Sequence, residues 1–230
     1  MANGNSAEAR RLYQERHRDR QVPHHNLFQL IHQRLWENVM SQFGAEVMFT
    51  DEASFSRDEG NHQQQFSVNV WAGIVGDHLI GPHFLPNRLN GADYRQFLEE
   101  VLPELLEDVP LQVRENMYFM HDGAPAHFSL VARQYLDDEY QDRWIGRGGP
   151  HPWPPRSPEL NCLDFFFWGH LKTLVYATPV ENVDQLRERI VASCDIIRNT
   201  PEIFLRVRQS MRRRIAACIE ANGGHFQHLI

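Results

Sequence analysis

Lysine is almost missing from this 230-residue chain: of 23 basic residues, only Lys172 is not arginine. Cysteine is scarce too. Cys162, Cys194 and Cys218 lie far apart, are odd in number and form no CxxC pair, which excludes a disulfide framework and a cysteine-based zinc site. The histidines do not restore zinc: His24-His25 and His225-x-x-His228 have no partner ligands at zinc spacing. No apolar run approaches the ~18–20 residues of a membrane helix. The first residues, MANGNSAEARRLYQER, hold no apolar signal-peptide core, so the expectation is a protein inside the cell with no membrane partner. No internal repeat or low-complexity tract is present.

A surplus of positive charge is also lacking. The net charge is −7 with histidine neutral, which argues against gripping nucleic acid through a bulk field. The distribution is uneven. Residues 1–40 carry 6 basic and 4 acidic groups, residues 41–140 carry 5 and 17, and residues 141–230 carry 12 and 9. The middle is acidic and both ends are basic. The bias toward arginine suits bidentate phosphate contacts.

What is present is a core. Hydrophobic residues make up 42% and aromatics 11%, enough for one globular domain with a short appendage. Residues 1–40 read as two helices, the second with Leu27, Ile31 and Leu35 at four-residue spacing. From residue 46 the period changes. EVMFTDEASF reads as a buried strand, and FSVNVWAGIV alternates like a second. Gly76-Asp77 turns into a third strand, HLIGPHFLP. A helix over 92–106, a strand over 116–121, a helix from Ala126 and a short strand at 143–145 follow. After the Gly/Pro-rich stretch GRGGPHPWPPRSP, helices are predicted over 162–176, 183–198 and 201–221. This order predicts a mixed α/β sheet covered by helices.

Three acids stand out. Asp51 and Asp122 each terminate a buried-strand pattern, and Asp164 opens a helix. If the strands pair, the first two carboxylates project side by side, where they repel unless a cation lies between them. Two or three such groups can hold two Mg²⁺ ions, an arrangement suited to in-line phosphoryl displacement. Each acid also has a plain structural role open to it. Asp122 precedes Gly123 and can be a turn residue. Asp164 lies three after Asn161 at capping spacing. Asp51, with Glu52 beside it, can be an ordinary strand-end acid.

FTDEASF, HDGAPAHF and WPPRSPELNCLDFFFWGHLK, in that order, resemble the catalytic domain of Tc1/mariner-type transposases. The likeness runs from about Glu46 to the C-terminus. It implies an RNase H-like fold with three carboxylates, Asp51, Asp122 and Asp164, as the catalytic residues and the ligands of two Mg²⁺ or Mn²⁺ ions. It gives His121 and His127 supporting roles beside the second carboxylate, either orienting it or touching the scissile phosphate. It brings Arg156, in WPPRSP, toward DNA. The N-terminal segment is similar to part of a helix-turn-helix in the same family, with Arg18, Arg20, His24, His25 and Arg34 as candidate DNA contacts. The domain division expected is therefore a partial helix-turn-helix over residues 1–43 and a catalytic domain over 44–230. The resemblance further implies transposon inverted-repeat DNA and a TA target as partners, action as a homodimer and a nuclear location.

Some features depart from the family pattern. About 45 residues precede the first carboxylate strand, where the family has two helix-turn-helix units. Only SRDEGNHQQQ joins Phe55 to Phe66, where relatives carry a longer segment. Glu159 and Cys162 stand where aspartate and proline are common. The functional expectation is metal-dependent cleavage and strand transfer at transposon ends. Two alternatives stand beside it: a shortened, catalytically silent remnant that binds DNA or protein, and a general Mg²⁺-dependent nuclease.

Overall fold

The computed structural model describes residues 47–56, 66–153, 157–221, 226 and 228. The candidate DNA contacts Arg18, Arg20, His24, His25, Arg34 and Arg156 lie outside the described residues, as does the helix-turn-helix segment. The chain divides into two compact units, Gly44–Gln209 and Met1–Phe43 with Ser210–Ile230. Among the described residues no helix is long and apolar enough to cross a membrane.

Strands β1 (Val47–Ser56), β2 (Ser67–Val75) and β3 (His78–Leu85) form an antiparallel meander. The Gly76-Asp77 turn joins β2 to β3, with Gly76 at φ 56°, a left-handed conformation that glycine adopts without strain. Strands β4 (Tyr118–Met120) and β5 (Trp144–Ile145) add in parallel beyond β1, giving the order β3-β2-β1-β4-β5. The sheet is mixed, as the sequence predicts. Strand β1 begins one residue later than the predicted EVMFTDEASF, and Asp51 lies in its middle rather than at its end.

Helix α1 (Gly91–Gln96) is capped by Asn90, whose side chain accepts from the amides of Ala92 and Asp93. It runs through a π-helical turn (Phe97–Val101) into α2 (Leu102–Leu105). Helix α3 (Leu111–Asn116) was not anticipated; its first turn follows Pro110, and it buries no residue that would give it a periodic signature. Helix α4 (Leu130–Glu139) starts four residues later than expected, at the Ser129 cap, because residues 121–124 run as a loop and 125–128 as a turn. A second π-helical turn (Leu163–Phe167) leads into α5 (Trp168–Val175), followed by α6 (Val183–Arg198) and α7 (Ile203–Glu220).

Alternation along β1 decides which side chains meet which layer. Met48 joins Trp71, Tyr94, Phe97, Leu98, Phe119, Leu136 and Trp144 in the core on one face. Phe55 points the other way, edge-on to Trp168 at 6.2 Å and stacked with Tyr176 at 6.3 Å. Glu52 therefore shares a face with Met48 and Thr50, and Asp51 shares a face with Phe55. Truncating a buried ring such as Trp71 or Phe119 to alanine is expected to cost about 3–5 kcal/mol.

Candidate active site

The parallel pairing of β1 with β4 aligns Phe49 with Met120. Extending that register two residues brings Asp122 alongside Asp51. Because β4 ends at Met120, the chain leaves the sheet there while β1 continues. Buried Thr50 closes this end of the sheet, donating from Oγ1 to the carbonyl of Met120 at 2.7 Å.

Asp164 arrives through Asn161. This buried amide donates from Nδ2 to the Thr50 carbonyl at 3.3 Å and accepts from the Leu163 amide at 3.1 Å. It thus fastens the π-helical turn to β1, one residue before Asp51. A π turn carries an extra residue, and here Leu163 and Phe167 both bury while Asp164 remains exposed between them. Asp164 hydrogen-bonds Asp51 side chain to side chain. Asn161, and not Asp164, is the side chain that meets a backbone amide at the start of this turn.

The electrostatics follow from this crowding. Burial, then the charge of Asp164, pushes the Asp51 carboxyl up to about 8, against the opposing hydrogen bond from Trp168. Burial, then the charge of Asp122, lifts Asp164 to about 6. The Asp51–Asp164 pair retains a proton, and Asp164 is within electrostatic reach of both Asp51 and Asp122. Asp122 behaves differently. Burial alone would raise it, but the hydrogen bond and charge of His127 and the amide of Ala124 hold it below the ordinary carboxylate value. The Ala124 bond, at 2.9 Å, is the turn contact its sequence suggested. Asp122 is thus a turn residue and a site residue at once.

His127 is the second feature of the site. Its Nδ1 lies 2.7 Å from Asp122 Oδ1 and its Nε2 lies 3.1 Å from Glu52 Oε1. Burial opposes its charge, but Glu52 and Asp122 together lift it to about 10, so it stands as an imidazolium between two carboxylates. Glu52 was read only as a neighbour of Asp51. Its role was hidden because it meets His127 across 75 residues of sequence.

His121 is fully buried. Its Nδ1 lies 3.1 Å from the Tyr94 hydroxyl, its ring stacks on His127 at 5.0 Å, and Trp144 meets it edge-on at 5.5 Å. Burial, then the charge of His127, drives its pKa well below the ordinary value, so it is neutral. This packing turns its ring inward, against Tyr94, His127 and Trp144. Cys162, buried beneath Asp164, has its thiol pushed up by burial and remains protonated.

Among the described residues no three His, Cys, Asp or Glu side chains form a metal-binding cluster. Asp51 and Asp164 are turned toward each other and Asp122 toward His127. The donor set nonetheless fits a hard cation, since it offers carboxylate oxygens. The lift of Asp51 by Asp164, and of Asp164 by Asp122, is what crowded carboxylates produce, and a cation among them reverses that balance.

A five-stranded mixed sheet in this order, flanked by helices, is an RNase H-like fold. Comparison with known proteins narrows the class. The chain is 26% identical over 214 residues to the transposable element Tc3 transposase of Caenorhabditis elegans, covering 84% of this chain and 61% of that protein. The chain thus spans about three-fifths of the length of this curated relative. The catalytic domain of Mos1 transposase solved with raltegravir and Mg superposes with a TM-score of 0.68 at 17% identity, covering 86% of this chain and 94% of that one. The Mos1 paired-end complex with the left transposon end superposes at 0.65 and 16% identity, covering 91% and 66%. No family model matches. Its sequence and its fold together make the chain similar to the catalytic domain of Tc1/mariner transposases.

Proposed function

We propose that this protein cleaves and joins transposon-end DNA by metal-dependent phosphodiester chemistry, with Asp51, Asp122 and Asp164 as the catalytic carboxylates. The observation that carries the reading is that Asp164, on the π turn before α5, interacts with both Asp51 on β1 and Asp122 in the loop after β4, the two acids that the β1–β4 register sets side by side. These three acids would hold Mg²⁺ or Mn²⁺, as two ions. Bound there, the ions would supply Lewis-acid activation of a water or DNA 3′-hydroxyl nucleophile and neutralise charge on the phosphoryl group in flight. Mos1 structures solved with Mg and with Mn support the choice of cation.

The chain's own residues prepare the carboxylates. Asn161 sets Asp164 against β1, Trp168 fixes one Asp51 oxygen, and His127 holds Asp122 deprotonated at the pH of the cell. The proton shared by Asp51 and Asp164 must leave before both can serve as ligands. Substrate DNA, pairing of two copies across two transposon ends, and a nuclear site of action complete the reading. The Mos1 paired-end complexes support the DNA and assembly parts of it.

The test is cleavage of DNA carrying the inverted repeats that flank this gene. The parent is expected to cut in Mg²⁺ and not in EDTA. Asp122→Asn should cut at least about 100-fold more slowly, since loss of even a supporting partner at a metal site costs 10–100-fold. An Asp122→Asn protein that cuts at the parental rate overturns the mechanism. Equal cutting of DNA without repeats would favour a general nuclease, and binding without any cutting a silent remnant.

A further inference from the structure

Two arginines that the carboxylate chemistry does not use converge on one aromatic ring beside Asp122. The Arg147 guanidinium lies 4.3 Å from the centre of the Phe128 ring and that of Arg133 lies 4.7 Å from it. The three come from different pieces of chain: the end of the Asp122 loop, helix α4 and the loop after β5. Three glycines in the last of these make the approach possible. A Cβ on Gly148 would meet Phe128 Cε2 at 2.9 Å and Arg133 Nη1 at 3.2 Å, and Gly148 itself has φ +81°. A Cβ on Gly146 would lie 2.5 Å from His121 Nε2, and one on Gly149 would lie 2.6 Å from the Trp144 ring. The loop is therefore pressed flat onto the rings that back the Asp122 loop. Its one long side chain, Arg147, runs outward over Gly123: its Cβ and Cδ lie 3.5 Å from where a Cβ of Gly123 would be.

Among the described residues neither Arg133 nor Arg147 forms an ion pair, and Arg133 Nε is buried without a hydrogen-bond partner. Other arginines here are spent on the protein: Arg143 on the Met117 carbonyl, Arg189 on the carbonyls of Val175, Thr178 and Pro179, and Arg208 on Asp77. Cation–π contact orients a guanidinium without neutralising it. Two positive charges are thus held at the rim of a carboxylate-rich site. A polyanion entering such a site needs local cations, and planar guanidiniums match phosphate oxygens two at a time.

We propose that Arg133, Arg147 and Phe128 form a clamp for the DNA backbone, gripping a phosphate next to the one that Asp122 addresses. The clamp rests on the DNA reading above but is separable from catalysis. The experiment is equilibrium binding of the full chain to a short labelled duplex of arbitrary sequence, in EDTA so that nothing is cut, over roughly 50–200 mM salt. Each lost phosphate contact lowers the slope of log K against log[salt] by about 0.9. Arg147→Gln, on an exposed side chain, is expected to lower it by about 1, and Arg133→Gln/Arg147→Gln by about 2. Arg147→Lys should keep the slope. Phe128→Leu should weaken binding with the slope unchanged, since it removes the support and no charge. A double variant with parental affinity and slope overturns the clamp and leaves the catalytic reading standing. A parent that binds no DNA at all overturns both.

Discussion

The indole Nε1 of Trp168 donates to Asp51 Oδ2 at 2.7 Å, tying the helix that follows the third carboxylate to the strand that bears the first. The two residues are 117 positions apart in sequence. The bond fixes one Asp51 oxygen and favours its ionised form, yet burial and the Asp164 charge outweigh it. Asp51 is therefore held in place and short of counter-charge.

That imbalance predicts a stability effect. The folded value of Asp51, about 8, lies above its ordinary 3.8, so ionising it opposes folding and stability falls as pH rises between them. Asp51→Asn removes the charge and keeps an acceptor for Trp168. Its melting temperature at pH 7.5 without divalent ions should exceed the parent's, with each kcal/mol worth about 2–4 °C in a chain of this size. Adding Mg²⁺ should raise the melting temperature of the parent and leave Asp51→Asn unmoved. A parent whose melting temperature ignores Mg²⁺ and Mn²⁺ would speak against the proposed ligands.

His127 predicts the opposite partner for its charge. Its folded value, about 10, lies above the ordinary 6.5. Its contribution is fully present below about 6.5 and is lost as pH rises through 10. His127→Gln leaves Glu52 and Asp122 without their cation. Allowing for the half-exposed Asp122, the cost at pH 7 should be about 1–3 kcal/mol, read from urea unfolding, and should shrink above pH 10. A cost that is constant with pH would mean the imidazole acts through packing alone.

Gly146 predicts a steric effect at a distance from the acids. A methyl at this position would press on the His121 ring and meet Trp144 Cζ3 at 3.0 Å. Both neighbours are fully buried, so neither can yield cheaply. Gly146→Ala should lose about 1–3 kcal/mol of stability in the same unfolding assay. Full parental stability would mean that the loop after β5 is not pressed onto the Asp122 loop as described.

Much of this was legible in the sequence because it is periodic. Alternating apolar residues marked β2, and the Gly76-Asp77 turn marked the hairpin into β3. The carboxylates could be singled out because each interrupts an apolar pattern. Short or non-periodic pieces escaped: α3 buries nothing, and the start of α4 is set by the Ser129 cap rather than by hydrophobic spacing. The π turn under Asp164 has no composition that distinguishes it from an α-helical one.

By itself, the sequence determined the strand and helix content, the three acids and the likeness that ties them to one family. These depend on residues close together along the chain. Tertiary structure alone decided that Glu52 and Asp122 share one imidazolium, that Trp168 serves Asp51, and that Arg133 and Arg147 meet on Phe128. Each of these joins segments with no local relation to one another, and sheet register and layer packing bring them to one place. The low count of basic residues in the acidic middle of the chain therefore says little about DNA. What matters is where the fold leaves an arginine unpaired.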